Sequence, residues 1–360
     1  MHIAFRKQQF YTWFSIILIV FTGNLNAAVS EDETARLYTT REEQREAGIK
    51  HEITSWLTVS GLAELEWYSE KLELDLLNDN DRYQDTSTSV QIATLIEPVD
   101  WAKAEFISEF DSNTDEWSTD EATIAFEHGP WELVMGMQNL PFGVYISHFA
   151  TGPILEFGEI KDSAVTMAYD HRDMIDVSLS IYRSGARKSG TDDNIDWSAA
   201  IEAWPADDIS FGISYLSDLA DSDERLLSDF NNRYEKRVPA LSTYLLWVAE
   251  NYEVSFEMVS ALDTFVELDA DRDKPQAWNL EYACFVSNTL DWAIRIEGSN
   301  ELEDAPESQY GFAVNLRLHK YAVLTLEALQ GEFKNGLATN SNDEPYKTIN
   351  TLATKLSIAF

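Results

Sequence analysis

From Ser55 to the C-terminus the chain alternates apolar and polar residues with a period of two. Over 57–67, Leu57, Val59, Ala63, Leu65 and Trp67 share one face, and Thr58, Ser60, Glu64 and Glu66 share the other. This is the pattern of a strand with one apolar and one polar side. Sixteen such strands are predicted, at 55–68, 86–97, 101–111, 120–127, 131–138, 164–170, 174–184, 195–204, 208–216, 239–249, 252–262, 277–287, 289–298, 309–318, 321–330 and 346–360. The connections alternate as well. Long links fall at 69–85, 112–119, 139–163, 185–194, 217–238, 263–276, 299–308 and 331–345. Between them sit short turns such as Pro98-Val99-Asp100, His128-Gly129-Pro130 and Glu250-Asn251. A soluble sandwich has no reason to gather every long loop at one end, whereas an outer-membrane barrel does. The predicted fold over 55–360 is therefore all-β: a transmembrane antiparallel up-and-down β-barrel of about sixteen strands, with short periplasmic turns and long external loops.

The termini fit that prediction. Arg6 and Lys7 precede the apolar run Trp13–Phe21, and Ala27-Ala28 offers a small-residue cleavage site, which makes 1–28 a secretory signal peptide. A polar periplasmic segment, 29–54, follows, with a short charged helix expected around Thr40-Arg41-Glu42-Glu43-Gln44-Arg45-Glu46. Trp67, Trp101, Trp131, Tyr169, Trp247, Tyr252 and Tyr310 lie near strand ends, where interfacial girdles form. The last strand ends on Phe360, an ending similar to the C-terminal signal read by the bacterial outer-membrane insertion machinery. The expected location is the bacterial outer membrane, in contact with its lipid and lipopolysaccharide.

Composition removes several alternatives. With 26 Lys+Arg against 63 Asp+Glu the formal net charge is −37, which excludes a nucleic-acid partner, since phosphate binding needs a basic footprint. A single cysteine, Cys284, rules out an intrachain disulfide and any multi-cysteine metal site. The six histidines (His2, His51, His128, His148, His171 and His319) are scattered, and none adjoins a nucleophile on a strand. No enzyme, cofactor or resident metal is expected. Acidic clusters at 78–82 and 267–273 lack the spacing of a calcium loop and are expected to be solvated external charge.

A barrel this wide should enclose water rather than a packed core. Its inward positions carry fifteen acids and four bases, with Glu64, Glu66, Glu105, Glu109, Glu121 and Glu132 forming an acidic wall that favours small cationic solutes. The 139–163 link is unusually apolar for an exposed loop, with Leu140, Phe142, Val144, Tyr145, Ile146, Phe149, Ile154, Leu155 and Phe157. It is expected to fold into the barrel as a constriction, with Tyr145, His148, Glu156 and Glu159 facing the opening. An extra hairpin against the rim is the alternative.

That link also carries a family resemblance. Leu140-Pro141-Phe142-Gly143, followed by Pro153-Ile154-Leu155-Glu156-Phe157-Gly158-Glu159, resembles the motif of the LbtU-type siderophore porins, with Ile154 and Gly152 departing from the usual Leu and Asp. The resemblance implies passive, TonB-independent uptake of a ferric siderophore or similar chelated solute. The runner-up reading is a general cation-preferring diffusion porin, because nothing in the composition itself specifies a siderophore. A plug-type receptor needs 22 strands and a plug, too much for this length.

Overall fold

The computed structural model describes residues 41–46, 48–74, 80–171, 174–183, 187–188, 195–222, 226, 233–334 and 336–360. The expected signal peptide at 1–28, and Asn78 and Asp79 of the first acidic cluster, lie outside the described residues.

Sixteen strands form the barrel. They are β1 (Leu57–Leu74), β2 (Asn80–Val99), β3 (Ala102–Asp111), β4 (Glu116–His128), β5 (Trp131–Asn139), β6 (Lys161–His171), β7 (Ile175–Arg183) and β8 (Ile195–Ala206). They continue as β9 (Ile209–Leu216), β10 (Ala240–Val248), β11 (Tyr252–Ala261), β12 (Gln276–Ser287), β13 (Leu290–Asn300), β14 (Ser308–His319), β15 (Ala322–Glu332) and β16 (Tyr346–Ala359). Each strand pairs antiparallel with its neighbour in sequence. The sheet closes where β16 runs along β1, from Tyr346 opposite Leu74 to Ala359 opposite Leu62. Closure leaves no open edge, the only way a sheet satisfies its backbone in hydrocarbon.

Burial is inverted relative to a soluble protein. Phe106, Ile124, Val165, Ile181, Ile213, Ile294 and Phe312 are exposed on the outer face, while Glu64, Glu253, Glu281, Asp291 and Arg295 are buried on the inner one. An apolar band outside and a polar wall inside is what a bilayer and an aqueous lumen demand of alternating strands. Aromatic rings mark the short-turn rim. Trp131 lies 4.6 Å from Tyr169, and Trp247, Tyr252, Tyr282, Trp292 and Phe312 follow one another around it. At the same rim the Phe360 ring sits where a Cβ on Gly61 would fall 2.6 Å away, so only glycine fits beneath it.

Most strand boundaries move by a few residues; the first hairpin moves further. The link expected at 69–85 is mostly strand, because β1 and β2 stay paired out to Glu73 opposite Asn80. Likewise β4 starts at Glu116, so 112–119 shrinks to 112–115. Lipid-facing alternation ends at the membrane surface, but backbone pairing does not depend on it. Leu72 and Leu74 on the inner side of the extension pack against Ala338 of the last long link and Tyr346 at the start of β16.

A short helix, α1 (Arg41–Glu46), precedes a strand at His51–Thr54 that pairs with the start of β1. The charged helix stands inside the barrel. Arg41 and Arg45 reach luminal acids of β1 and β3, and a Cβ on Gly48 would lie 2.8 Å from that of Ala359 at the short-turn end.

Candidate functional site: the luminal loop and its vestibule

The link between β5 and β6, 140–160, packs along the inner wall from β9 to β15. Its local conformation follows from sequence. Gly143 has φ +77°, and Tyr145 takes φ +50°, a region that costs an ordinary residue about 1–2 kcal/mol. The strain is held because a Cβ on Gly143 would lie 2.4 Å from the Tyr145 ring, and one on Gly158 would lie 3.2 Å from the Tyr145 hydroxyl. The two motif glycines thus make the slot that the tyrosine fills. Pro153 then leads into a single 3-10 turn, Ile154–Gly158.

Apolar side chains anchor the loop. Leu140, Phe142, Leu155, Phe157 and Ile160 are buried against Leu216, Val238, Val259, Ala261 and Ala277. Phe149 drops among Ala283, Ala293 and Ala313, with the Arg295 guanidinium 4.3 Å above its ring. Ala283, Ala293 and Ala313 stand opposite one another on three adjacent strands, and this row of small residues leaves room for the larger ring.

Wall carboxylates satisfy the loop backbone. Glu257 accepts the Val144 and Tyr145 N–H groups at 2.8 and 2.9 Å, and Glu281 accepts the His148 N–H at 2.6 Å. Glu327 takes the Ala150 and Thr151 N–H groups at 2.6 and 3.1 Å, and Glu297 takes that of Ile154 at 2.7 Å. Asn315 donates to the His148 carbonyl at 3.0 Å. An irregular backbone at membrane depth is tolerated only where it is satisfied in this way. Charge-assisted bonds of this kind are about twice as strong as neutral ones.

The residues singled out from sequence divide into two groups. His148 is buried between loop and wall, with Nε2 3.2 Å from Glu253 Oε1 and its ring 5.9 Å from Phe285. Tyr145 is half-buried, its ring packed into the loop itself. These two hold the loop rather than face the opening. Glu156 and Glu159 are exposed and border a cavity of about 530 Å³ above the loop. Glu70, Glu301, Glu303 and Asp304 add acids to that vestibule, and Arg272 adds a cation. The motif residues Leu140, Pro141, Phe142, Gly143, Pro153 and Gly158 shape and seat the loop.

The acidic wall is less bare than a count of acids implies. Arg41 holds Glu64 at 2.7 Å and Glu109 at 3.0 Å, and Arg45 lies 3.6 Å from Glu105. Lys355 sits 3.8 Å from both Glu64 and Glu66. Lys103 bridges Glu127 and Glu132, and Asn139 donates to Glu121 at 3.3 Å. Strand alternation does not mark Arg41 and Arg45 as luminal residues; their spacing on one face of a helix is the signal that could. Nor does it mark Lys161 and Asp120, which pair beside the foot of the loop, Asp120 on the bulge between β3 and β4.

The other acidic features have partners too. Asp81 accepts from Tyr346 at 2.7 Å, and Arg272 bridges Asp269 and Glu303. At the long-loop rim Asp196, Asp218 and Asp221 bring carboxylate oxygens within 4.8 Å of one another. Arg237 pairs with Asp196 at 2.7 Å, and the hydroxyls of Tyr234 and Tyr182 donate to Asp218 and Asp221. This cluster ties the 217–239 link to β7 and β8.

No protein-family model matches the chain, and no characterised protein matches it by sequence. Solved structures do match by fold. An anion-selective porin from Comamonas acidovorans aligns with TM-score 0.60 at 9% identity, over 84% of this chain and 99% of its own. The outer-membrane channel DcaP of Acinetobacter baumannii aligns with TM-score 0.58 at 12% identity, over 87% and 99%. OmpF of Salmonella typhi, in complex with daunomycin, aligns with TM-score 0.59 at 9% identity, over 87% and 100%. At such identities the likeness carries the fold, and the fold is that of the porins: a closed sixteen-stranded antiparallel barrel.

Proposed function

We propose that this chain is an outer-membrane porin, a passive channel whose opening lies between the 140–160 loop and the opposite wall and which prefers cationic solutes. The observation that carries this reading is the docking of loop N–H groups on Glu257, Glu281, Glu297 and Glu327. Docking on carboxylates holds the loop on the inner wall and at the same time removes those charges from the water. Glu156 and Glu159 stay exposed beneath an acidic vestibule, so the sign of the opening follows from them.

The finer reading, uptake of a ferric siderophore or similar chelate without an energised receptor, is supported by the resemblance of 140–159 to the LbtU-type motif. Vestibule chemistry narrows the class. Acids crowded around about 530 Å³ repel a polyanionic chelate and admit a neutral or cationic one. In planar bilayers, a neutral trihydroxamate ferric complex should block the current in a concentration-dependent manner, and a ferric tricatecholate should not. Equal indifference to both would leave the general porin.

A further inference from the structure

The inner wall of β1–β3 gathers Glu64, Glu105 and Glu109 with Ser89 and Gln91 between them. Two guanidinium groups from the chain's own N-terminal helix fill this array. Arg41 Nε lies 2.7 Å from Glu64 Oε2, its Nη1 3.0 Å from Glu109 Oε1, and its Nη2 donates to Ser89 at 3.2 Å. Arg45 Nη1 donates to Gln91 at 3.1 Å, and Nη2 lies 3.6 Å from Glu105. Planar guanidinium against spaced carboxylates is the geometry by which arginine is recognised.

The helix is held by charge. Residues 41–46, Arg-Glu-Glu-Gln-Arg-Glu, include no apolar side chain, so no hydrophobic contact from the helix itself seats it. Arg41 is 43% exposed on its side chain whereas its partner Glu64 is 2% exposed, so the acid belongs to the wall and the cation reaches it from the water. Without Arg41, the cation left at Glu64 among the described residues is Lys355 at 3.8 Å, with the Ser357 hydroxyl at 3.1 Å. A buried carboxylate in that position favours any cation that can replace the one lost. At the foot of the loop, Glu159 lies within electrostatic range of Lys161, Asp120 and Arg41.

We propose that Glu64, Glu105 and Glu109 form a luminal binding site for guanidinium- or ammonium-bearing solutes, and that Arg41 and Arg45 occupy it as an internal ligand which such a solute displaces. This rests on the cation preference proposed above and names the site and ligand class behind it. Seated, the helix, with two arginines against three glutamates, sets its two guanidinium groups on the wall acids; displaced, it yields those positions to the passing solute. Both sides of the exchange are ionic, so added salt weakens it.

The test uses refolded full chain in planar bilayers, with arginine amide as the probe. The parent and the Arg41→Ala/Arg45→Ala variant are compared for probe-induced block, with the reversal potential in a KCl gradient recorded on the same channels. The expected result is block of the variant at a probe concentration at least tenfold below that needed for the parent, and loss of this gain on adding Glu64→Gln/Glu109→Gln. Arg41→Gln alone, which retains Arg45, should give an intermediate shift and serves if the double variant does not insert. Equal block of parent and variants in a cation-selective channel overturns the internal-ligand proposal alone. An anion-selective parent channel overturns the proposed function beneath it.

Discussion

Glu281 on β12 accepts the main-chain N–H of His148 at 2.6 Å, from a loop 133 residues earlier in the chain. The relationship explains why this barrel wall carries buried acids with no basic side chain opposite each one. Their partners are backbone donors, which no sequence pattern displays. Replacing Glu281 by Ala leaves that donor, and the Ser147 hydroxyl bonded to the same carboxylate at 2.9 Å, without acceptors. The expected loss is about 1–3 kcal/mol for each unsatisfied group. It should read out as greater open-channel noise and higher conductance, with the barrel still resistant to SDS at room temperature.

Gly143 offers a second test. Gly143→Ala forces a Cβ to 2.4 Å from the Tyr145 ring at φ +77°, and the backbone part alone costs about 1–2 kcal/mol. Adding Tyr145→Ala removes the clash and leaves the backbone cost. The double variant should therefore recover part, but not all, of the thermal shift seen in gel heat-modifiability. Full recovery would mean that the positive φ carries no strain.

Much of this molecule is legible in its amino-acid pattern. The sixteen strands are readable because lipid contact imposes a period of two, and Ile213, Ile294 and Phe312 report it without ambiguity. What pattern does not supply is pairing beyond the membrane, as in the extension of β1 to Leu74, where both faces meet water or a loop and the alternation loses its meaning. The candidate site divides along the same line. Glu156 and Glu159 border the vestibule, whereas His148 is turned to the wall by Glu253, a partner 105 residues away. Arg41 and Arg45 read as solvated charge because their partners lie on strands that follow them in sequence.

The outer face gives a depth-dependent prediction. Ile294 is 43% exposed on the outer face of β13, where an arginine meets hydrocarbon. Ile294→Arg is expected to destabilise the barrel by about 2–4 kcal/mol, measured by equilibrium unfolding in lipid. Ser299→Arg near the end of the same strand, on the opposite face, should leave that lipid cost out. A similar lipid-dependent loss at both positions would contradict the assignment of faces.

The rim carries a pH signature. Burial, with Asp221 nearby, raises the Asp218 carboxyl from its ordinary 3.8 to about 7, against hydrogen bonds from Tyr234, Ala220 and Val238 that pull it down. A raised acid keeps its proton in the folded state, so stability falls as pH rises from about 4 to about 7 and is flat above. The full span is on the order of 4 kcal/mol. Heat-modifiability midpoints between pH 4 and pH 8 should show this decline in the parent, and Asp218→Asn should remove it. A decline unchanged by the substitution would assign it to other groups.

The decisive measurement is the zero-current potential of single channels in a tenfold KCl gradient, for the parent and for Glu156→Gln/Glu159→Gln. The expected result is a stable open channel with a cation-selective potential that moves toward zero in the variant, because the exposed acids at the vestibule floor set the sign. An anion-selective parent, a potential indifferent to both substitutions, or a barrel that inserts without passing current would contradict that reading.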